Sequence, residues 1–163
     1  KRNQWVAQRG KSIIRELRQL ETARANAGTC KLLGENSFPE ADRFVNVGPV
    51  SNEPEFENFF NICNRCFVES IEKYGKSLGK KKYFWNEIKS TYPALFDVLH
   101  RIKVYRHSSD HLELNPDVAK KYKEFWNEDT AGVTDFEEQR FVIQQKLLEA
   151  FLSAIQTEID SIS

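Results

Sequence analysis

Apolar residues recur every three or four positions along most of this chain, and that spacing restricts the fold more than any other feature. It places the apolar side chains on one face of an α-helix. One such stripe runs from Phe136 to Ile159. Another consists of Phe56, Phe59, Phe60, Cys63, Cys66, Phe67, Ile71 and Tyr74. No segment alternates polar and apolar residues over a comparable length. The sequence therefore predicts an all-α fold, an up-and-down helical bundle of about four long helices plus short ones.

Capping residues and helix breakers set the expected boundaries. Gly28 ends the first helix, and Asn52 caps the next one with Pro54 in its first turn. Pro93 separates two later helices because it disfavours helix at the preceding residue. The expected helices cover residues 1–27, 54–75, 83–92, 94–114, 117–126 and 135–159. Residues 29–53 predict an irregular loop with a short turn around residues 39–45.

Length and charge limit what the chain can be. Its 163 residues suffice for one core, so we expect residues 1–163 to form a single helical domain. The 24 basic residues balance 24 acidic ones, so a polyanion partner needs a local patch of cations. No apolar run approaches the length of a membrane span. The chain starts at Lys1 and contains no methionine, so we interpret it as a fragment of a longer protein that has other domains.

The three cysteines, Cys30, Cys63 and Cys66, are an odd number in a chain large enough to fold without disulfides. Reduced thiols in a cytoplasmic protein are the expected state. Cys63 and Cys66 have the spacing of a metal or redox pair, but no second pair accompanies them. Three residues is also core spacing on a helix. We therefore expect structural thiols, with no metal and no cofactor.

The segment Tyr105–Leu112, Tyr-Arg-His-Ser-Ser-Asp-His-Leu, holds two of the three histidines. Histidine titrates near neutral pH without help, and arginine offers a planar cation suited to phosphate. An arginine (Arg106), a polar residue (His107) and, after three more positions, a histidine (His111) resemble the motif of the HEPN superfamily. The likeness in motif covers residues 106–111, and the likeness in architecture extends from Pro54 to the C-terminus.

This resemblance implies a HEPN-like, metal-independent endoribonuclease that works as a homodimer, in a bacterial defence, toxin or stress protein. It implies catalytic roles for Arg106, His107 and His111. The histidines would act as base and acid while the RNA 2′-hydroxyl attacks phosphorus, which leaves a 2′,3′-cyclic phosphate. Arg106 would stabilise the phosphorane, and Ser108 and Asp110 would orient the histidines or the phosphate. On a regular helix Arg106 and His111 point about 140° apart, so we expect either a distorted helix or a site composed of two copies.

The path of the RNA must follow clustered cations, because the chain as a whole is neutral. The densest cluster near the motif in sequence is Lys80, Lys81 and Lys82. Lys103 and Arg106 extend that cluster if the intervening helix folds back alongside. We therefore predict that these lysines bind the substrate.

Other interpretations compete with a nuclease. In the first, Arg106 and the histidines form a hydrogen-bonded polar patch in a noncatalytic RNA-binding, dimerisation or protein-interaction domain. His107 and His111 share the spacing of the zinc-protease signature, but serine follows His107 where that reaction requires glutamate. A looser form of the motif pairs Arg101 with His107. His100 is interpreted as a structural residue.

Overall fold

Four long helical stretches surround one hydrophobic core in the computed structural model, which describes residues 1–29, 31–34, 38–107 and 115–162. In chain order the elements are α1 (Arg2–Asn26), α2 (Ala41–Val45), α3 (Glu53–Cys63), π1 (Asn64–Glu69), α4 (Ser70–Ser77), π2 (Phe84–Ile88), α5 (Lys89–Thr91), α6 (Pro93–Tyr105), α7 (Pro116–Asp129) and α8 (Phe136–Asp160). The described ranges contain no β-strand. The predicted all-α helical bundle is confirmed.

The helix that carries the aromatic stripe runs without a break through α3, π1 and α4. It starts as predicted: the Asn52 side chain accepts a hydrogen bond from the Glu55 N–H at 2.9 Å, and Pro54 lies in the first turn. Six of the seven residues from 62 to 68 are buried, so the helix buries more than one face around its π-helical segment. This helix therefore runs through the interior rather than along the surface.

Aromatic rings from several elements meet around Phe67 on π1. Its ring lies 5.3 Å from the Phe38 ring, 4.8 Å from the Phe44 ring and 4.8 Å from the Phe151 ring, measured between centroids. Cys63 and Cys66 are buried in the same region as free thiols. Burial raises the pKa of Cys63 and raises that of Cys66 to about 12, so both thiols stay protonated at neutral pH. They contribute apolar volume to the core, in line with the expected structural role.

The directions of the long helices follow from contacts at their ends. Arg2 lies 2.7 Å from Glu138, and the Gln156 amide donates to Glu16 at 2.8 Å, so α1 and α8 run parallel. The helix from Glu53 is parallel to them, because Glu53 lies 2.7 Å from Arg140.

Helix α6 runs in the opposite direction. Its Leu95 N–H donates to Glu158 near the end of α8. At its other end, the Tyr105 ring lies 5.0 Å from the Phe60 ring on α3. The helix direction thus alternates from α3 to α6 to α8. The long connection between α1 and α3 brings the chain back to the end of the bundle at which α1 begins.

That connection is held in place by buried polar side chains rather than by regular structure. The Glu21 carboxylate accepts hydrogen bonds from the N–H groups of Leu32 and Leu33. The Gln144 amide accepts from the Val50 N–H at 2.9 Å and donates to the Gly48 carbonyl at 3.0 Å. Backbone groups that no helix satisfies therefore have partners inside the protein. Helix α2 lies within the predicted loop, at the position of the expected turn.

One predicted boundary is wrong. The sequence predicted a single helix over residues 94–114, but α6 ends at Tyr105. Arg106 is its C-terminal cap residue and His107 follows outside the helix. The apolar spacing that suggested continuation, with Leu112 as its last member, cannot by itself show where helical hydrogen bonding stops. Residues 108–114 lie outside the described ranges.

Candidate functional site

Arg106 and His107 lie where α6 ends. The Arg106 N–H donates to the Ile102 carbonyl at 3.1 Å, and the His107 N–H donates to the Val104 carbonyl at 3.2 Å. Both side chains are half-buried. The Nε of Arg106 is buried and has no hydrogen-bond partner within the described part of the chain. A buried guanidinium N–H without an acceptor lowers the stability of the fold. This N–H is therefore suited to donate a hydrogen bond to an anionic oxygen of a ligand.

The three remaining predicted residues of the motif, Ser108, Asp110 and His111, lie outside the described residues. Their roles beside Arg106 therefore stay predictions. The angle of about 140° between Arg106 and His111 holds only on a continuous helix. Since α6 ends at Tyr105, that angle no longer applies.

A polar network fixes the last turns of α6 against α7. Arg101 donates to Asp129 at 3.0 Å and to Glu128 at 3.1 Å, and its guanidinium carbon lies 3.9 Å from the centroid of the Phe125 ring. The Tyr105 hydroxyl donates to the same Asp129 oxygen at 2.6 Å. Burial, and then the hydrogen bond to Asp129, raises the pKa of Tyr105, which therefore stays protonated as a donor.

This network assigns Arg101 to structure. Its guanidinium group binds two carboxylates, and the Phe125 ring covers the guanidinium plane. The looser pairing of Arg101 with His107 would require this guanidinium to leave both partners. The same contacts hold Tyr105 in place and so set the position from which Arg106 extends.

Three of the lysines predicted to bind RNA, Lys80, Lys81 and Lys82, lie in the connection between α4 and π2. The Lys80 N–H donates to the Gly75 carbonyl at 3.0 Å, which holds the turn against the end of α4. Just beyond the turn, the Tyr83 hydroxyl donates to the Leu32 carbonyl, next to the Glu21 carboxylate that also binds Tyr92. Helix α6 begins immediately after Tyr92.

Helices π2 and α5 fold back alongside α6, in the opposite direction. The Lys89 ammonium lies 5.5 Å from the centroid of the Phe96 ring, whereas Lys103, in the last turn of α6, has its ammonium 5.8 Å from the centroid of the Phe84 ring. Lys80, Lys81 and Lys82 come just before Phe84, so they lie towards the end of α6 that carries Lys103 and Arg106. Lys80 is paired with Glu87 at 3.5 Å.

A cleft of about 570 Å³ opens between π2, α5, α6, α7 and α8. One wall is aromatic: the His100 ring lies 5.4 Å from Trp85, 5.7 Å from Phe96 and 6.0 Å from Phe125, measured between centroids. The cations that line it come from four helices: Lys89, Arg101, Lys121 and Lys146. Two carboxylates, Asp97 and Asp129, also line it, and Asp129 is already bound by Arg101 and Tyr105. The cleft is thus locally basic in a chain without net charge.

His100 itself is half-buried in this wall. Burial lowers its pKa, and the cations Lys121, Lys103 and Lys89 act in the same direction, while Asp97 opposes them. The imidazole is therefore neutral at pH 7 and presents an uncharged ring. The sequence interpretation of His100 as a lone structural histidine missed this setting. No sequence signal could have found it, because the lining residues are separated by up to 65 positions and meet only through packing.

No protein-family model, no curated protein and no solved structure matches this chain. Among the described residues, no group of three or more histidine, cysteine, aspartate or glutamate side chains is arranged to hold a metal ion. None of the helices in the described ranges combines the length and the apolar composition that crossing a membrane requires. What the chain does must therefore be inferred from its own geometry.

Proposed function

We propose that this chain is a HEPN-like endoribonuclease domain whose motif, from Arg106 to His111, cleaves RNA without a metal ion. One observation carries the proposal. Helix α6 ends at Tyr105, and the Arg106 Nε beside that end is buried with no partner among the described residues. A donor in this state gains most from an anionic oxygen, and the phosphorane of RNA cleavage supplies one.

In the proposed reaction, one histidine of the motif removes the proton from the 2′-hydroxyl, which then attacks the neighbouring phosphorus. The other histidine protonates the 5′-oxygen as the P–O bond to it breaks. The products are a 2′,3′-cyclic phosphate and a 5′-hydroxyl. Arg106 stabilises the charge of the phosphorane by charge-assisted hydrogen bonds. Arg101, Tyr105 and Asp129 are positioning residues, because they fix the end of α6 without reaching the substrate.

The experiment is a cleavage assay on a single-stranded RNA in the presence of EDTA. We expect the parent chain to cut, and Arg106→Ala and His111→Ala to lose at least about 100-fold in rate, the usual contribution of a positioned acid, base or oxyanion donor. Arg43→Ala is the matched control, because it removes an exposed arginine whose nearest carboxylate is 4.0 Å away. An RNA with one 2′-deoxy position should resist cleavage there. Equal cutting by parent and Arg106→Ala, or cutting that needs added magnesium, would contradict the proposal.

The resemblance also implies a homodimer with a site built from both copies. The aromatic stripe offers no argument for this, because Phe56, Phe59, Phe60 and Phe67 are all buried within the chain. A mixing experiment tests it directly. If one copy supplies Arg106 and the other His111, then Arg106→Ala mixed with His111→Ala should regain part of the activity that each lacks. No recovery in a mixture shown to exchange subunits would indicate a site within one copy.

A second candidate function is RNA binding without cleavage. It is favoured by the turn that carries Lys80, Lys81 and Lys82, which presents Lys81 and Lys82 to solvent. We predict that changing Lys80, Lys81 and Lys82 to glutamine weakens RNA binding and reduces its log–log salt slope by about one unit per lost phosphate contact. The rate of cutting bound RNA should not change. An unchanged affinity and slope would assign the lysines to a solvated turn.

A further inference from the structure

We propose that the cleft beside His100 is a binding site for a nucleoside phosphate, with the base on the aromatic wall and the phosphate among the lysines. The proposal does not rest on the proposed function, because it concerns binding at a different place. His100 lies on α6, and Arg106, six residues later, is the cap residue at its end, so the helix turns the two about 120° away from each other. The two sites therefore face different sides of the helix.

The aromatic wall accounts for the base. Trp85 is 39% exposed, one of three large apolar side chains that the described structure leaves open to solvent. Its ring stands edge-on to Phe96 and His100, whose own rings are nearly parallel, at 18°. Because Phe96 is buried, the exposed ring of Trp85 is the flat surface against which a heterocyclic base can stack. A neutral His100 adds a ring nitrogen that can accept a hydrogen bond and another that can donate one.

The lysines account for the phosphate. Arg101 is held by Asp129 and Glu128, and Lys121 lies 3.7 Å from Glu124. Lys89 on α5 and Lys146 on α8 both line the cleft, and neither forms an ion pair with any described residue. The ammonium of Lys89 lies 5.5 Å from the centroid of the Phe96 ring. One ligand can therefore contact the aromatic wall and an unpaired cation together.

Size and composition agree with this class of ligand. A cleft of about 570 Å³ falls within the range of roughly 300–1,000 Å³ of small-molecule sites. An apolar anion without a ring would leave the wall unused, and an uncharged ring would leave Lys89 and Lys146 without a counter-charge. The ligand can be a free nucleotide or one nucleotide of a single-stranded RNA, since both present the same base and phosphate.

The first test measures the binding of AMP and of a 2′-O-methyl oligoadenylate, which the proposed nuclease cannot cut, by calorimetry at low salt. We expect both to bind, and adenosine or inorganic phosphate alone to bind more weakly. The tighter of the two identifies the natural source, free nucleotide or RNA. No saturable binding of either at millimolar concentration would overturn the proposal.

The second test uses variants. Lys89→Gln combined with Lys146→Gln should weaken AMP binding by about fivefold for each charge, as expected for contacts in water. Lys120→Gln combined with Lys123→Gln is the matched control, because it removes the same charge from exposed positions outside the cleft. Trp85→Ala should weaken binding at least about fivefold through lost stacking. If the control pair weakens binding as much as the cleft pair, the attraction is general rather than local.

The third measurement follows the imidazole itself by NMR. Bound phosphate brings negative charge towards His100 and offsets its charged neighbours, so the pKa of His100 should rise when AMP binds. The groups around it that set this pKa are Lys89, Asp97, Lys103 and Lys121, with Arg101, Asp129 and Lys146 also lining the cleft. The chain has three histidines, and His100→Gln identifies the resonance. A His100 pKa that does not move at saturating AMP would place the nucleotide elsewhere.

Discussion

Gly75 offers the sharpest test of the packing described above. It lies in α4, and the side chain of Tyr83 rests directly on its backbone. A Cβ added to Gly75 would come within 2.9 Å of three Tyr83 carbons. Tyr83 is 1% exposed and its hydroxyl is bound to Leu32, so the ring has nowhere to move. We predict that Gly75→Ala destabilises the protein, although alanine is the better helix former.

The expected magnitude follows from two opposing effects. Alanine in place of glycine inside a helix contributes about 1 kcal/mol of stability. Forcing extra volume into a packed core costs about 1–3 kcal/mol, and occasionally more. The contact here is with carbons at the root of the Tyr83 side chain rather than with a flexible end, so we expect an overpacking cost of about 3–4 kcal/mol. The net loss is then about 2–3 kcal/mol, or roughly 4–12 °C in Tm for a chain of this size.

Gly10 in α1 is the matched control. A Cβ there would lie 3.5 Å from the Val45 Cα, an ordinary van der Waals distance. Gly10→Ala should therefore stabilise by about 0.5–1 kcal/mol, through helix propensity alone. The assay is urea and thermal unfolding of both variants, followed by far-ultraviolet circular dichroism. If Gly75→Ala proved as stable as the parent while Gly10→Ala gained stability, the described packing of Tyr83 on α4 would be wrong.

Two further predictions concern buried acids. Glu21→Ala should lower the free energy of unfolding by about 3–5 kcal/mol, because it leaves two N–H groups and the Tyr92 hydroxyl without an acceptor, whereas Glu21→Gln keeps an oxygen and should cost about 1 kcal/mol in urea unfolding. Burial raises the pKa of Glu158 above its ordinary 4.5, so its folded form keeps a proton that the unfolded chain loses. The contribution of Glu158 to the free energy of unfolding is therefore fully present below pH 4.5 and is lost as pH rises through the pKa of the folded state. Glu158→Gln should remove this pH dependence from unfolding curves measured across pH. Unchanged curves would show that Glu158 titrates alike in both states.

Sequence periodicity was sufficient for the helices and for most of the core. The spacing of Phe56, Phe60 and Phe67 predicted a buried face, and Asn52 predicted where that helix begins. These features depend on neighbours along the chain, so a linear pattern records them. The end of α6 was not predictable in the same way. It depends on where Arg106 leaves the helical hydrogen-bond pattern, and apolar spacing continues past that point to Leu112.

The candidate sites show the same division. The motif around Arg106 is contiguous, so its residues could be singled out, although its geometry from Ser108 to His111 stays a prediction. Lys80, Lys81 and Lys82 were expected to be extended by Lys103 if the intervening helix folds back, and the contact between Lys103 and Phe84 shows that it does. The cleft beside His100 combines Lys89, Lys121 and Lys146 from three helices. Nothing along the chain links these residues before the bundle assembles.

The pairing of α1 with α8 has a consequence for how the protein forms on the ribosome. Contacts such as Arg2 with Glu138 and Gln156 with Glu16 join residues 136 and 140 positions apart. During synthesis at about 5–20 residues per second, α1 must wait roughly 7–28 s for its partner helix. Through that interval Ile13, Leu17 and Leu20, which end up almost fully buried, have no α8 to cover them. The nascent chain is therefore exposed to aggregation until α8 emerges, and a chaperone that binds apolar helices would protect it at this stage.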